Sequence, residues 1–317
     1  MLTEENAMVQ IFYKMLKSRL FEEKAMALKR RGYIASELFL SVGQESVCAA
    51  VEALGSDDSI LASHRDLSVL LACDTDAEAL FEELMEMEGG KCLGRSGQAS
   101  YADNAANFYG ACVPAGSCFA KALGVAISNR MQGKGNTVIC FAGDGAAATG
   151  EFYEAVNQAV ILKLPVIFFI ENNCYSADMP VTFTSATRDI SDRAKGFDIP
   201  GIIADGYHAN EVYQAVKLAN EYVKTHNQPT IVESKTYRLA GFDTSDEQGY
   251  RLKEEIEDFS QYDPIDILSE YMLDNEIGNY DDLLMLKDRA KEEIDKAYWT
   301  ALNKKLSSLM KTEAAKR

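Results

Sequence analysis

Histidine is nearly absent: the 317 residues include three, His64, His208 and His226. Imidazole is the side chain that moves protons near neutral pH, so its scarcity limits the acid–base chemistry this chain can do. The seven cysteines stand singly in apolar or helical contexts, with no Cys-x-x-Cys and no even framework. That excludes a disulfide scaffold and a zinc ribbon, and fits reduced thiols in a cytoplasm. No stretch approaches the ~20 apolar residues of a membrane span. The opening "MLTEENAMVQIFYKMLKSRLFEEKAM" reads as an amphipathic helix of mixed charge, so neither a secretion signal nor a transit peptide is expected, and the location expected is cytoplasmic. Basic residues are in deficit, 32 against 49 acidic ones, for a net charge of -17. Nucleic acid and anionic membrane both reward a basic surface and are excluded as main partners; solubility is the simpler reading of the charge.

What is present is a regular alternation. A chain of this length buries one large core or two modest ones. Apolar positions every three to four residues predict a helix over 4–31, with further helices near 43–54, 66–73 and 77–88. The stretch "GGKCLGRSGQASYADNAANFYGACVPAG" reads as an irregular binding loop. Beyond it the spacing predicts a helix over 114–132, strands over 137–142 and 166–171 flanking a helix over 150–162, and a loop over 174–200. A strand over 201–204, a helix over 209–225, a strand over 229–237 and a loop over 239–250 follow, and the remainder is helical and charged. Strands alternating with helices imply an α/β fold, a parallel sheet with helices on both faces. With no repeat and no clear linker, one domain over 1–317 is expected. It carries an N-terminal helical extension over about 1–35 and a C-terminal helical region over about 251–317.

The chemistry concentrates in "GDGAAATGEFYEAVNQAVILKLPVIFFIENNCY", Gly143 to Tyr175. Asp144 and Asn173 each follow a strand directly, and in open parallel sheets ligands gather at the carboxyl ends of strands. Gly143 and Gly145 permit a tight turn and a close backbone approach. The helix starting near Gly150 is expected to turn free N–H groups to the same place, which favours phosphate. One carboxylate, one amide oxygen and a backbone carbonyl leave a magnesium shell to be completed by phosphate and water. A magnesium-bridged diphosphate therefore suits the pair. The spacing breaks the GxGxxG dinucleotide fingerprint, and no Walker GK[ST] is present. The competing reading is a turn aspartate and an asparagine-rich loop with purely structural roles.

This stretch closely resembles the thiamine diphosphate motif, GDG followed after about thirty residues by NN. Its flanks resemble the alpha subunit of the decarboxylating component of 2-oxo acid dehydrogenases, the pyruvate, branched-chain and acetoin group. "FEEKAMALKRRGYI" is similar to that family's first helix, "SVGQESVCAAVEAL" to its GQEA segment and "SHRDLS" to its YRDHG segment. "FDIPGIIADG" and "YRLKEEIEDFSQYDPI" are similar to its closing strand and to the helix after its regulatory loop. The resemblance covers roughly residues 5–300. It implies that Asp144, Asn173 and the Tyr175 carbonyl bind Mg2+, that Gly143, Gly145 and Ala146 lie by the diphosphate, and that Arg65 contacts it. Backbone around 113–115, with Val113 and Ala115, would meet the aminopyrimidine. It also implies a beta subunit that supplies the other half of each cofactor site, in an α2β2 heterotetramer.

The chain departs from the family at its histidines. Phe39, Ser100, Leu67, Ala240 and Phe242 occupy positions where relatives carry imidazole. His64 takes the usual Tyr place beside Arg65, where it is a candidate for the cofactor phosphate or for proton transfer, and equally a packing substitution. His208 and His226 sit at expected helix ends as solvated or capping residues, Asp243 and Asp246 read as turn caps, and Cys174 as a bystander thiol. The resemblance implies cleavage of a 2-oxo acid or related ketone and transfer of the acyl or aldehyde unit to a lipoyl arm. The missing histidines leave two alternatives open. One is a biosynthetic two-carbon transferase acting on an acyl carrier protein or sugar phosphate; the other is a cofactor-binding subunit that has lost the chemistry.

Overall fold

The computed structural model describes residues 4–315; residues 1–3, 316 and 317, inside the expected domain bounds, lie outside it. Strands β1 (Ser59–Ser63), β2 (Phe108–Cys112), β3 (Val138–Gly143) and β4 (Val166–Asn172) come first. A short antiparallel pair, β5 (Tyr175–Ser176) and β6 (Met179–Pro180), precedes β7 (Gly201–Asp205) and β8 (Thr230–Lys235). The six longer strands form one parallel sheet in the order β2-β1-β3-β4-β8-β7. The chain runs outward from β1 to β2, then crosses to β3 on the other side of β1. That reversal is a switch point of the kind that opens a crevice at the strands' carboxyl ends.

The helices are α1 (Glu4–Arg30), α2 (Val47–Glu52), α3 (Leu67–Ala72), α4 (Ala77–Leu84) and α5 (Ser117–Met131). Then come α6 (Asp144–Ala147), α7 (Gly150–Leu162), α8 (Val181–Thr184) and α9 (Ala209–His226), and last α10 (Lys253–Ser260), α11 (Pro264–Asp274) and α12 (Tyr280–Ala315). Alternation along each strand divides the core between the two faces. Ile139, Phe141, Ile167, Phe169 and Val232 pack into a cluster with residues of α1, α2, α3 and α9. Their neighbours Val138, Cys140, Phe168, Ile170 and Ile231 pack with Phe119 of α5 and Phe152 of α7. Both faces are covered by helices, as the alternation of elements predicts.

Three expectations need correction. β1 falls in a stretch assigned to no element, and β2 lies inside the expected irregular loop, with a 3-10 turn over Asn104–Ala106 before it. "SILAS" and "FYGAC" are five residues each, too short for periodicity to separate a buried strand from its surroundings. The loop expected over 174–200 likewise holds β5, β6, α8 and a 3-10 helix, Ile190–Phe197. Helix α1, expected to be amphipathic, is buried on most sides, because it packs against α2, α3, α4, α11 and α12. Its Lys14 and Lys17 are buried and reach Glu52 at 2.7 Å and Glu293 at 2.5 Å.

Candidate functional site

The carboxyl ends of five strands converge on one pocket of about 250 Å³. β1 delivers His64 and Arg65, β2 delivers Val113 and Ala115, and β3 delivers Gly143, Asp144, Gly145 and Ala146. β4 delivers Glu171 and Asn173, the β5 turn adds Tyr175 and Ser176, and the chain beyond β8 adds Arg238 and Phe242. All the candidate site residues named from the sequence line this single space. The geometry follows from register: Gly143 pairs with Glu171, so the ends of β3 and β4 lie side by side.

Asp144 opens α6, a four-residue helical turn between β3 and α7. The expected presentation of N–H groups from the helix near Gly150 is therefore corrected. The turn over 143–146 lines the pocket, and α7 starts behind it. Asp144 is 3% exposed, and its Oδ2 has no hydrogen-bond partner. Burial pushes its carboxyl up to about 6, against the opposing pull of the Asp144 and Gly145 N–H groups and of Arg238 and Arg65. A buried carboxylate oxygen without a partner is costly unless something positive meets it.

Asn173 is oriented from outside its own loop. Its Nδ2 donates to Gln44 Oε1 at 2.9 Å, while its Oδ1 accepts the Tyr175 N–H at 3.4 Å. Between them Cys174 adopts φ +73°, a left-handed conformation that turns the chain sharply after β4. The Tyr175 carbonyl accepts from Arg238 Nη1 at 3.2 Å, and a carbonyl oxygen has a second lone pair. At Gly145 a Cβ would stand 2.0 Å from Ser176 Oγ, so the bare backbone is demanded by the β5 turn. At Gly143, which also lines the pocket, a Cβ would meet no atom within 4 Å.

Arg65 is buried and bound to carbonyls. Its Nη1 donates to Leu40 O at 3.0 Å and to Gly241 O at 3.5 Å, and its Nη2 to Phe242 O at 2.8 Å. Burial, then the neighbouring Arg238, lowers its pKa to about 10, so it stays charged. Behind it the Glu171 carboxyl is hydrogen-bonded to Asp66, and both are pushed up chiefly by burial. Arg238 is 1% exposed and binds Tyr175 O, Ala177 O and the Tyr250 hydroxyl. Arg251 donates to the carbonyls of Arg238, Leu239 and Ala240, so the 239–250 loop is held from within by three arginines. Gln44, Glu171, Ser176 and Arg238 were not singled out from the sequence. Gln44 lies inside "SVGQESVCAAVEAL", where motif likeness was the available signal, and Arg238 lies close before Ala240 and Phe242, two of the positions where relatives carry imidazole.

The other candidates have ordinary surroundings. His208 precedes α9 with its Nδ1 3.2 Å from Asp205, and His226 ends α9, stacked on Tyr222 at 4.4 Å. Asp243 accepts from Ser245, and Asp246 from the Phe242 and Gln248 N–H groups and the Tyr250 hydroxyl. Cys174 contacts the Thr236 carbonyl at 3.5 Å through its thiol, which burial pushes up to about 11.

Residues 13–309 match the family described as "Dehydrogenase E1 component". The chain is 35% identical over 290 residues to the pyruvate dehydrogenase E1 component subunit alpha of Rickettsia felis, covering 91% of this chain and 89% of that one. It is 34% identical over 286 residues to the protein of the same name from Rhizobium meliloti, covering 90% and 82%. It is also 34% identical over 298 residues to the alpha subunit of acetoin:2,6-dichlorophenolindophenol oxidoreductase of Bacillus subtilis, covering 93% and 89%. With nearly its whole length matched, this chain belongs to the dehydrogenase E1 component family, as an alpha-subunit-type member of the thiamine diphosphate-dependent 2-oxo acid dehydrogenases.

Proposed function

We propose that the pocket at the sheet edge is the diphosphate half of a thiamine diphosphate site, with Mg2+ held by Asp144, Asn173 and the Tyr175 carbonyl. The observation that carries this is the buried, unpartnered Asp144 Oδ2 at the end of β3, beside an asparagine whose amide nitrogen is already committed to Gln44. Among the described residues no three His, Cys, Asp or Glu side chains gather into a metal cage. A cation here must complete its shell from ligand oxygens, which is how magnesium binds phosphates. Gly143, Gly145 and Ala146 then flank the diphosphate and Arg65 supplies charge to it, with Val113 and Ala115 at the aminopyrimidine end. When bound, thiamine diphosphate supplies a nucleophilic carbon that attacks a ketone and lets the adjacent carbon–carbon bond break.

The same pocket supports a requirement for a second chain. Its lining carboxylates are Asp144 and Glu171. The first is assigned to the metal and the second is bonded to Asp66. Neither is left to activate the aminopyrimidine, so a beta subunit supplies that group, in an α2β2 assembly. The acyl or aldehyde unit passes to a lipoyl-bearing acyltransferase or another carrier. Among the described residues no helix is long and apolar enough to cross a membrane; an enzyme working in the cytoplasm is the reading we adopt.

Calorimetric titration of the co-expressed alpha–beta pair with thiamine diphosphate and Mg2+ tests the site. Saturable, Mg2+-dependent binding is expected, weakened about a hundredfold or more by Asp144→Ala, which removes a direct metal ligand. Binding untouched by that change would remove the assignment.

A further inference from the structure

Tyr175 offers the metal site its backbone carbonyl, and its side chain is engaged elsewhere. The stretch that carries it is short. β5 has two residues, set between Cys174 at φ +73° and Ala177 at φ +53°. Its pairing with β6 joins Tyr175 to Pro180 and Ser176 to Met179 and goes no further. Pro180 has no N–H to donate to Tyr175. The backbone ladder therefore does little to fix this turn, and its side chains must do so.

The Tyr175 ring is 8% exposed. It lies edge-on to Tyr237, with centroids 6.1 Å apart, and tilted against Tyr250 at 5.7 Å. The Arg251 guanidinium stands 5.4 Å from its centroid and that of Arg238 5.9 Å. Its hydroxyl donates to Glu255 Oε1 at 2.8 Å, and the Tyr237 hydroxyl donates to the same oxygen at 2.8 Å. Glu255 belongs to α10, beyond the 239–250 loop, a helix with no buried residue. One turn further on, Phe259 stacks on Tyr237 at 4.0 Å. An exposed helix is thus fastened beside the metal site through one carboxylate and one ring. Arg238 closes the circuit from the other side. It donates to the Tyr175 carbonyl at 3.2 Å and to the Ala177 carbonyl at 2.5 Å, under the ring that Glu255 holds. A ring enclosed in this way passes a shift of its hydroxyl to Cα and the carbonyl, because close packing leaves no free rotation to absorb it.

Resting on the reading of this pocket as a thiamine diphosphate and Mg2+ site, we propose that Glu255 is a positioning residue for the metal. By accepting the Tyr175 hydroxyl it fixes the residue whose carbonyl is offered to Mg2+. Helix α10 thereby takes part in the site without touching the ligand.

The test reads binding and not turnover. Mg2+ is titrated calorimetrically into the co-expressed alpha–beta pair at saturating thiamine diphosphate. Separately, hydrogen–deuterium exchange of the peptide over 173–177 is followed without cofactor or metal. Glu255→Leu removes the acceptor and should weaken Mg2+ by about tenfold, with faster exchange over 173–177. Tyr175→Phe should do the same, and the double variant should lose no more than either change alone. Glu255→Gln keeps an oxygen that can accept both hydroxyls and should hold Mg2+ affinity to within about twofold of wild type. Tyr237→Phe removes the other hydrogen bond to the same carboxylate. It should lower the melting temperature as Tyr175→Phe does, yet leave Mg2+ affinity within about twofold, which a general loss of stability would not allow. Mg2+ affinity unchanged in Glu255→Leu, an equal loss in Tyr237→Phe, or an additive double variant overturns the proposal and leaves the metal assignment standing. Wild-type enzyme that binds no Mg2+ removes the metal assignment and the proposal with it.

Discussion

Asn173 owes its orientation to Gln44, a residue 129 positions away in the sequence. Gln44 fixes the amide by accepting from its nitrogen, which leaves the amide oxygen for the pocket. Partners that orient a metal ligand are typically worth 10–100-fold in metal affinity. Gln44→Met should weaken Mg2+ by a factor in that range, read from Mg2+ titration at fixed thiamine diphosphate. The melting temperature should change little: the unpartnered Gln44 Nε2 disappears while Asn173 Nδ2 loses its acceptor, and the two effects oppose. Glu22 carries a different prediction at this scale. It is fully buried against Ser41, accepting from its N–H at 2.8 Å and its hydroxyl at 2.5 Å. Burial raises its pKa from 4.5 to about 7, more than the Ser41 bonds lower it. The native state thus keeps a proton that the unfolded chain releases, so this group's contribution falls as pH rises from about 4.5 to 7 and is level above that. Between pH 5.5 and 8 it should cost on the order of 2 kcal/mol. Urea unfolding of Glu22→Gln at those two pH values should show a shallower pH dependence than wild type; an equal slope would assign the titration elsewhere. Asp144, Asn173 and Arg65, which the structure places on the pocket, were legible because each directly follows a strand or sits in a motif-like segment. Glu22 and Ser176 were not, because their environments arise from parts of the chain far apart or from a turn with no sequence signature.

At the scale of elements, the site depends on how closely α6 approaches the β5–β6 turn. Gly145 permits that approach, since a Cβ there would stand 2.0 Å from Ser176 Oγ and 2.7 Å from Ser176 Cβ. Overpacking of this kind typically costs about 1–3 kcal/mol. Gly145→Ala should lower the melting temperature by a few degrees and weaken thiamine diphosphate binding, because Asp144 shifts with α6. The double change Gly145→Ala with Ser176→Gly should restore both. It removes the Oγ and Cβ and leaves Ser176 Cα at 3.6 Å, an ordinary contact. Scanning calorimetry of the three variants reads the stability part, and failure of the second change to rescue would place the strain elsewhere. The elements most visible in the sequence were those with long periodic patterns, such as α1, α7, α9, β3 and β4. β1 and β2 were missed, although His64 and Arg65 directly follow β1. Five residues are too few for a pattern to stand out: β1 is paired on both sides and needs no alternation of its own, while β2, at the sheet's edge, is interrupted by Gly110 at φ +126°.

At the scale of the whole molecule, the two terminal helical regions form one wall. Helix α12 packs along α1 and α4. Glu293 takes both the Tyr13 hydroxyl and Lys17 at 2.5 Å, and Lys304 takes Glu78 at 2.5 Å and Glu82 at 2.6 Å. The sequence pattern marked both regions as helical but could not pair them, since their contacts join residues up to 280 positions apart. This wall adds local ion pairs to a chain whose overall charge is -17. The two act oppositely in salt: screening weakens the ion pairs and also relieves the repulsion among the excess carboxylates. Several pairs are shielded from screening, because one partner is buried, as with Lys17 at 7% and Glu82 at 4% side-chain exposure. Most of the other acidic side chains are not buried and are open to it. Repulsion should therefore dominate, and raising NaCl from 10 to 200 mM should raise the melting temperature by roughly 2–4 °C, the shift produced by about 1 kcal/mol in a chain of this class. A sucrose control that stabilises without screening separates this effect from general exclusion of solute. A melting temperature that falls with salt would mean that the α1–α12 ion pairs, and not the net charge, govern the electrostatics of the fold.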